Sequence, residues 1–592
     1  MASRAVASRG FDVLHRDGWL AMLGRWRLSL MAFGVLVVLV SCAGRGAVSI
    51  SVSPAAVTLP VHGTQSFTAT VTGTSNTSVS WSATCGSISE TGNRVTYAAP
   101  GVAGSCTVTV TSVADPSKSA TAIVTVTGSV SESASSYIRF SNVSPGAASG
   151  GVRLVTFDIE WDESWRGPDR PTWVAAPDNW DAAWVFVKIR VDGGEWRHAT
   201  LAGGGHVVPA GAVVDVPSDR VGVFVYRSSS GYGTFTANGV GLAWDHVTDG
   251  ASAGASVEVR PFGIDMVYVP EGAFSLGSGR SDWGEFRAGG TANTPFVVSS
   301  QSSISMGDAA GQLMWTDSGW SGPSSGSTSA SFPTGFGAFY VMKYQLTQGQ
   351  YVDFLNTLTQ AQADARRTSG YRPMVTGSSV GAYVALLPFV AMNNISWRDG
   401  AAYADWAGLR PMTELEYEKA ARGPLEPVAD EYAWGSTSIT QVTGLANAGT
   451  IMETPTPADA NAQYGHFRGS LPWPVRVGSF AAPGRSRRDA GAGYYGALEL
   501  TGNLWERPVT VGNADGRAFS GTHGDGVLDA DGNGNVPSWP GSTDVTGLRG
   551  GSWGNEDDNP VNLLRVSVRW LAAWNYAGRA SYYGWRGARS AP

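Results

Sequence analysis

The sequence predicts a multidomain fold class, with an all-β sandwich first, a second β-sandwich-like domain next, and an irregular α+β domain last. The chain has 592 residues, which is enough for about three or four domains of roughly 100–200 residues each. Apolar and polar residues alternate strictly from residue 48 to residue 127, and a second β-rich stretch follows a Ser-rich linker. Helix start and stop signals are found only after these two stretches.

Segment 1–42 has the pattern of a secretory signal peptide. Arg25 and Arg27 precede an apolar run at 28–40, and a small residue then stands directly before Cys42. This pattern resembles the lipobox of bacterial lipoproteins. The resemblance implies lipidation of Cys42 and a lipid anchor in the bacterial cell envelope, at the outer membrane or the cell surface. The alternative is a transmembrane anchor, but about 13 apolar residues are fewer than the ~20 that a spanning helix needs.

Segment 43–128 is predicted to be a β-sandwich. Its alternating runs include VSISV at 48–52 and TVTV at 107–110, with Gly, Asn and Pro between the runs. The pattern resembles bacterial immunoglobulin-like domains, which usually serve as spacers. In an exported protein the isolated pair Cys85 and Cys106 indicates a disulfide, and two free buried thiols are the alternative.

Segment 129–260 begins with a Ser-rich linker and continues as a β-rich domain. Its apolar runs, such as AWVFVKI at 183–189, show no helical period, so a second β-sandwich is predicted. The segment contains several tryptophans that form a glycan-binding groove in one interpretation and pack in the core in the other, namely Trp161, Trp165, Trp173, Trp180 and Trp184.

Segment 261–592 contains motifs in the order known from one family. These motifs lie at 266–278, 339–351, 394–406, 409–423 and 548–553. They resemble the formylglycine-generating enzyme, or sulfatase-modifying factor, domain family, and the resemblance implies an irregular α+β fold related to C-type lectins. Within the motifs, Thr347 is a predicted N-cap, Thr413 and Glu416 predict a capping box, and Gly423 predicts a helix end.

The cysteines that this family uses for catalysis are missing from the motifs. Enzymes of the family oxidise a substrate cysteine with two cysteines of their own, at two and seven positions after the aromatic residue of a Gly-Gly-Ser-aromatic turn. Here that turn ends at Trp553, and the two positions hold Asn555 and Pro560. Neither side chain forms a thiolate or binds copper. We therefore expect no copper and no formylglycine-generating activity.

The family resemblance also implies a structural calcium site. The family binds calcium beside a Gly-Asn-x-Trp-Glu motif, and the matching positions nominate the carboxylates of Glu499 and Glu506 with the carbonyl groups of Gly502 and Leu504. Calcium takes six to eight oxygen ligands, which such a set begins to supply. The alternative is a retained turn without metal.

Other chemistry has weaker support. Asp529, Asp531 and Asn533 match the first half of an EF-hand loop, but the position of the closing Glu holds Pro540, which favours a surface turn in an inserted loop at 521–541. The seven histidines are scattered, so zinc and iron sites have no support. A net charge of -7 argues against nucleic-acid binding.

The C-terminal residues have the composition of an adaptable binding surface, in which rigid aromatic rings stand among short polar groups. The candidate ligand-binding residues are Asn555, Asp557, Trp570, Trp574, Asn575, Tyr576 and Tyr582. The pattern also resembles the variable proteins of diversity-generating retroelements.

Three functions stay open at this stage. The first is a non-catalytic surface lipoprotein that binds a protein or glycan, with a fixed or diversified surface. The second is an enzyme that reuses the family's pocket with different chemistry. The third is a structural subunit of an envelope or motility complex.

Overall fold

The computed structural model describes residues 47–60, 64–99, 104–127, 137–280, 282–291, 293–315, 325–368, 370, 372, 375–466, 469–541, 546–554, 562–574 and 576–592. The predicted signal peptide and Cys42 lie outside these ranges. Within them, no helix is both long and apolar enough to cross a membrane.

Residues 47–127 form two four-stranded sheets, in the orders β1-β3-β6-β5 and β2-β8-β7-β4. Their strands are β1 (Ser49–Ser53), β2 (Ala56–Pro60), β3 (Thr64–Thr72), β4 (Val79–Ala83), β5 (Ser87–Thr91), β6 (Arg94–Ala98), β7 (Gly104–Ser112) and β8 (Ser119–Thr127).

The two sheets share one apolar core, as strict alternation predicts. Phe67 and Val95 come from the first sheet, and Trp81 and Val124 come from the second. Successive side chains of a strand point to opposite faces, so one face of each sheet is apolar and packs inward. The predicted disulfide between Cys85 and Cys106 is confirmed, with a Cα–Cα distance of 5.5 Å.

Residues 137–269 contribute a three-stranded sheet, β15-β10-β9, and part of a larger central sheet. The central sheet has the order β13-β14-β11-β16-β23-β29-β26, with β12 paired to β11, and three of its strands come from later in the chain: β23 (Phe339–Met342), β26 (Arg410–Pro411) and β29 (Gly587–Ser590). The strands up to residue 269 are β9 (Ile138–Ser149), β10 (Val152–Arg166), β11 (Asp181–Val191), β12 (Trp196–His198), β13 (Ala212–Asp215), β14 (Val223–Arg227), β15 (Gly231–Asp245) and β16 (Val257–Val269).

Strand β11 is buried on both faces. Ala183 and Val185 pack against the three-stranded sheet, whereas Trp184 and Phe186 pack toward the helices. A continuous apolar run is the pattern that a strand covered on both sides requires. The central sheet is thus the middle layer of three.

The central sheet crosses a predicted domain boundary. Strand β16 pairs with β11 from residue 181 to 191 and with β23 at its other edge. The boundary predicted between residues 260 and 261 falls inside β16, and the two segments share one sheet. The second sandwich therefore has a partner sheet that continues into the C-terminal domain.

A buried ion cluster reinforces this junction. The ammonium group of Lys343 lies 3.3 Å from Asp181 and 3.1 Å from Asp265. Asp181 also accepts hydrogen bonds from Trp161 and Ser164. Because an unpaired charge is costly to bury, the cluster ties these segments together.

The tryptophans of segment 129–260 are mostly core residues. Trp161, Trp165, Trp173 and Trp184 are almost fully buried, and Trp180 is half-buried and stacks on Tyr268. This distribution favours core packing over the glycan-groove interpretation.

The remaining strands are short, which gives the C-terminal domain its irregular character. They are β17 (Phe274–Leu276), β18 (Phe286–Ala288), β19 (Phe296–Val298), β20 (Ser305–Met306), β21 (Leu313–Trp315), β22 (Gly326–Ser327), β23 (Phe339–Met342), β24 (Val375–Thr376), β25 (Val384–Ala385), β26 (Arg410–Pro411), β27 (Gly444–Ala446), β28 (Thr454–Thr456) and β29 (Gly587–Ser590).

The helices begin at residues that the sequence marks as caps. They are α1 (Gln348–Leu355), α2 (Gln360–Arg366), α3 (Trp397–Trp406), α4 (Glu414–Arg422) and α5 (Ala514–Arg517), with a short 3-10 turn at Asn562–Leu564. Thr347 caps α1, and Thr413 and Glu416 form the predicted capping box of α4. Gly423 ends α4 with a φ of 70°, a conformation that glycine adopts without strain.

Candidate functional site

The Gly-Gly-Ser-Trp turn is held tightly against the domain. Gly550 has a φ of 82°, and a Cβ there would approach the carbonyl oxygen of Leu500 to 2.4 Å. Glycine is therefore required at this position both by conformation and by space. Trp553 follows, and its amide group donates to the carbonyl of Asn503 at 3.0 Å.

Beneath the turn lies a buried set of charged side chains, here called the arginine network: Glu414, Glu418, Arg422, Arg549 and Arg569. Arg549 lies 3.0 Å from Glu414 and 2.6 Å from Glu418. Arg569 lies 2.7 Å from Glu414, and Arg422 lies 3.1 Å from Glu418.

Helix α4 supplies the carboxylates of this network from one face, because positions four residues apart are neighbours on a helix. Burial raises the pKa of Glu414, but the Arg569 and Arg549 guanidinium groups outweigh burial and hold that pKa below its ordinary value. The carboxylate is therefore ionised and paired. The network joins α4 to the turn and to residues 566–569.

A cluster of aromatic side chains lies near the turn and is here called the aromatic surface: Trp283, Trp570, Trp574, Tyr576 and Tyr582. The rings of Trp283 and Trp570 are 5.3 Å apart. The Trp574 indole donates to the Tyr583 hydroxyl at 2.9 Å. Trp570, Trp574 and Tyr582 pack on a small apolar core that includes Trp505 and Tyr583.

The aromatic surface grades from half-buried to exposed. Trp283 is 41% exposed and Tyr576 is 47% exposed, whereas Trp570, Trp574 and Tyr582 are half-buried. Exposed aromatic rings with a packed base are the usual anchors of protein and glycan recognition.

The structure brings together four of the seven predicted ligand-binding residues: Trp570, Trp574, Tyr576 and Tyr582. Asn555, Asp557 and Asn575 lie outside the described residues, as does Pro560. Sequence reasoning missed Trp283, which joins because the Arg569 amide donates to its carbonyl at 2.8 Å. Only its position in a Gly- and Ser-rich loop hinted at exposure.

Three of the four predicted calcium residues, Glu499, Leu504 and Glu506, meet around the side-chain amide of Gln345, and the amide of the fourth, Gly502, donates to the Gly550 carbonyl. The Gln345 side-chain nitrogen donates to the Leu504 carbonyl at 2.7 Å, to the Glu499 carbonyl at 3.3 Å and to the Glu506 carboxylate at 3.3 Å. The Arg586 guanidinium lies 2.9 Å from the same Glu506 oxygen.

Protein N–H groups already engage part of this donor set. The Leu504 carbonyl and one Glu506 oxygen accept hydrogen bonds from Gln345, and the Leu504 carbonyl keeps a second lone pair. Burial raises the pKa of Glu499 to about 7. The second carboxyl oxygens of Glu499 and Glu506 are buried and receive no hydrogen bond from any described residue, so calcium binding at this motif stays a prediction.

The EF-hand-like sequence in loop 521–541 forms a turn closed by its own side chains. One oxygen of Asp529 accepts the backbone amides of Asp531 at 2.9 Å and Asn533 at 2.7 Å, and the other accepts the Asn533 side-chain amide at 3.0 Å. The carboxylate is thus occupied by N–H donors, as expected for a surface turn.

Taken together, the fold and the site define a multidomain, strand-rich protein with a few short helices and a C-terminal domain built around buried arginine–carboxylate pairs. A family model described as the sulfatase-modifying factor enzyme 1-like domain matches residues 264–591. The chain belongs to this family. The match begins inside β16, the strand that spans the domain boundary predicted between residues 260 and 261.

Several curated proteins are similar to parts of this domain. The formylglycine-generating enzyme of Thermomonospora curvata is 33% identical over 125 residues, which are 21% of this chain and 35% of that enzyme. The enzyme of the same name from Streptomyces coelicolor is 33% identical over 141 residues, 24% of this chain and 36% of its own length. The inactive C-alpha-formylglycine-generating enzyme 2 of Mus musculus is 31% identical over 143 residues, with shares of 24% and 39%. The chain thus covers little more than a third of the length of these relatives.

Proposed function

We propose that this protein is a non-catalytic binding protein whose C-terminal domain presents the aromatic surface to a protein or glycan ligand at the bacterial cell surface. The scaffold of the family is kept, and the residues that would perform cysteine oxidation are replaced.

The observation that carries this proposal is the distribution of cysteine. The chain has three cysteines, at positions 42, 85 and 106, so none lies in the family domain. Cys85 and Cys106 are bonded to each other in another domain. Thiolate chemistry needs a cysteine sulfur, and the domain supplies none, so it lacks the cysteine pair with which enzymes of the family oxidise their substrate.

The arrangement of the aromatic surface supports a binding role. Its half-buried rings rest on an apolar base, so the exposed rings of Trp283 and Tyr576 lose little conformational entropy when a ligand covers them. Large patches of exposed aromatic rings on a folded protein commonly mark interaction sites.

The proposal includes attachment of the protein to the membrane through a lipid on Cys42. The basic residues, short apolar run and cysteine of segment 1–42 support it. Metabolic labelling with an alkyne fatty acid should label the wild-type chain and leave Cys42→Ser unlabelled. Equal labelling of both chains would contradict the anchor.

The ligand surface can be tested with the full chain on an array of defined glycans and on purified envelope proteins. The double variant Trp283→Ala/Tyr576→Ala should weaken any wild-type binding at least ~tenfold, because exposed aromatic anchors dominate such interfaces. Tyr232→Ala is the matched control, since Tyr232 is 41% exposed on β15, outside the aromatic surface. Binding that survives the double variant unchanged would contradict the proposal.

A diversified version of this surface is a finer form of the same proposal. Trp570 and Trp574 cannot arise from an Asn codon by changes at adenines, so diversification would act on their neighbours. Amplicon sequencing of the codons for residues 549–589 in sister isolates should then show substitutions confined to template adenines. A uniform sequence would establish a fixed surface.

A further inference from the structure

The buried ion cluster of Lys343, Asp181 and Asp265 is closed to solvent. The side chains of Lys343 and Asp181 are 0% exposed, and that of Asp265 is 3% exposed. The Lys343 nitrogen lies 4.7 Å from the ring centre of Trp165 and 5.4 Å from that of Tyr344. One amine and two carboxyl groups are therefore held together in an interior from which bulk water is excluded.

The two carboxyl groups of the cluster differ in their hydrogen bonds. Asp181 accepts three besides that of Lys343: from the Trp161 indole at 3.1 Å, the Ser164 hydroxyl at 2.9 Å and the Trp165 backbone amide at 2.9 Å. Neither Asp265 oxygen has the geometry of a hydrogen bond with a described residue, although the Lys343 nitrogen lies 3.1 Å from one of them. Burial raises the pKa of Asp265 to about 7, so a large share of this group carries a proton near neutral pH.

The central sheet holds Lys343 and Asp265 opposite each other. Asp265 lies on β16, and Lys343 directly follows β23, beside the cross-strand pair of Met266 with Met342. The backbone amide of Lys343 donates to the Asp265 carbonyl at 2.8 Å. Because the backbone fixes both residues, their side chains meet at a very high effective concentration.

We propose that the Lys343 side chain condenses with that of Asp265 to form an internal amide bond, with Asp181 as the proton acceptor. Burial lowers the pKa of Lys343, but the neighbouring carboxylates outweigh burial and hold that pKa above its ordinary value, so the ammonium group must first lose a proton. Asp181 lies 3.3 Å away and takes this proton. The freed Nζ then bonds to Cγ of the protonated Asp265 carboxyl group, a Cγ–O bond breaks, and the hydroxyl leaves as water with a second proton from Nζ.

The reaction removes an electrostatic cost from the core. It replaces a buried ammonium group and a carboxyl group that accepts no hydrogen bond with one neutral amide. The bond joins β16 to β23 and closes the chain between residues 265 and 343 into a covalent loop, which restricts the unfolded chain. The inference does not depend on the proposed binding function, because the cluster shares no residue with the aromatic surface.

Mass spectrometry of the full chain, folded, then denatured, reduced and digested with trypsin, tests the proposal. Trypsin does not cleave after an acylated lysine or at the Arg260–Pro261 bond. The digest should therefore contain one product that joins residues 228–280 to residues 288–366, with the mass of one water less than the two peptides together. Complete cleavage after Lys343, with residues 228–280 recovered as a separate peptide of full mass, would overturn the proposal.

Two variants and two other lysines locate the bond. Lys343→Arg keeps the positive charge and the tryptic site, but its guanidinium should form no amide, so the peptides should separate. Asp181→Asn keeps both reacting groups and removes the proton acceptor, so the folded variant, checked by circular dichroism, should lose the linked product. A fully linked Asp181→Asn would contradict the role of Asp181.

Lys188 and Lys419 are the internal controls. They are equally buried, but Lys188 donates to the carbonyls of Trp406 and Gly526, and Lys419 donates to three backbone carbonyls. Trypsin should therefore cleave after both control lysines. The same loss of water at either one would contradict the assignment of the reaction to the cluster.

Discussion

The arginine network and the aromatic surface use neighbouring residues of the same C-terminal segment for opposite purposes. Arg569 is fully buried and paired with Glu414, whereas the next residue, Trp570, is half-buried and contacts the exposed Trp283. The network is closed by its own ion pairs, and the surface offers ring faces that no described residue fully covers. The comparison teaches that adjacent residues divide their roles, since one side chain holds the buried framework and the next belongs to the aromatic surface.

The largest expected effect is on the network. Glu414→Gln should destabilise the protein by about 3–5 kcal/mol, because it leaves the buried guanidinium groups of Arg549 and Arg569 without a full counter-charge. Urea unfolding measures this loss. Arg488→Gln is the control: its pair with Asp489 is 2.8 Å long and partly exposed, and such pairs contribute less than ~1 kcal/mol. If Glu414→Gln and Arg488→Gln lost a similar, small free energy of unfolding, the buried network would not be more important for stability than an exposed ion pair.

The next effect concerns Glu285, in the loop that carries Trp283. Burial raises the pKa of Glu285 to about 7, and two hydrogen bonds from Ser278 lower it only in part. The folded state therefore holds a proton that the unfolded state releases near its ordinary pKa of ~4.3. The free energy of unfolding should fall as pH rises from about 4.5 to 7. Glu285→Gln should flatten this fall, and an unchanged pH profile would disprove the assignment.

Trp574 should show an intermediate effect, because it joins the aromatic surface to the small apolar core on which that surface packs. Its indole bonds to Tyr583 and packs on the apolar base, so Trp574→Ala should lower the free energy of unfolding by ~2 kcal/mol, about half the loss for a fully buried Trp. Thermal and urea unfolding measure it. If Trp574→Ala were as stable as the wild type, the packing of Trp574 on the apolar base would not stabilise the aromatic surface.

Substitutions of the two exposed rings of the aromatic surface should have a much smaller effect on stability. Tyr576→Ala and Trp283→Ala should each change the free energy of unfolding by no more than ~0.5 kcal/mol, as most exposed substitutions do. If either variant lost as much free energy of unfolding as Trp574→Ala, the exposed rings would be part of the folded framework.

The predicted calcium site is tested by thermal melting in calcium chloride and in a chelator, with magnesium chloride as the ionic control. Two buried carboxyl oxygens, of Glu499 and Glu506, receive no hydrogen bond from any described residue, so the melting temperature should rise specifically with calcium. Equal melting temperatures in all three solutions would mean that the turn is kept without metal.

The sequence predicts the local features of the fold well. Strict alternation predicts the two sheets of 47–127, and Thr347 and Thr413 mark the starts of α1 and α4. The shared central sheet was not predictable in the same way, since the pairing of β11 with β16 joins residues about 75 positions apart. A strand buried on both faces gives no signal of which segments cover it.

The candidate site shows the same difference between local features, which the sequence predicts, and contacts between distant segments, which it does not. The aromatic residues of 570–582 were recognised from composition, and their grouping with Trp283 depends on a backbone contact across nearly 290 positions. The calcium prediction transferred ligand positions from a family motif. It could not foresee that the Gln345 amide, from a distant segment, donates to the same oxygens.

The central claim is that the family scaffold persists here without the family's cysteine chemistry. Incubating the folded full chain with a cysteine-containing peptide, oxygen and copper, followed by mass spectrometry of the peptide, tests it most directly. We predict that the peptide cysteine is not converted to formylglycine, because the domain offers no thiol to exchange with it or to bind copper. Formylglycine formed in proportion to the protein added would contradict the account.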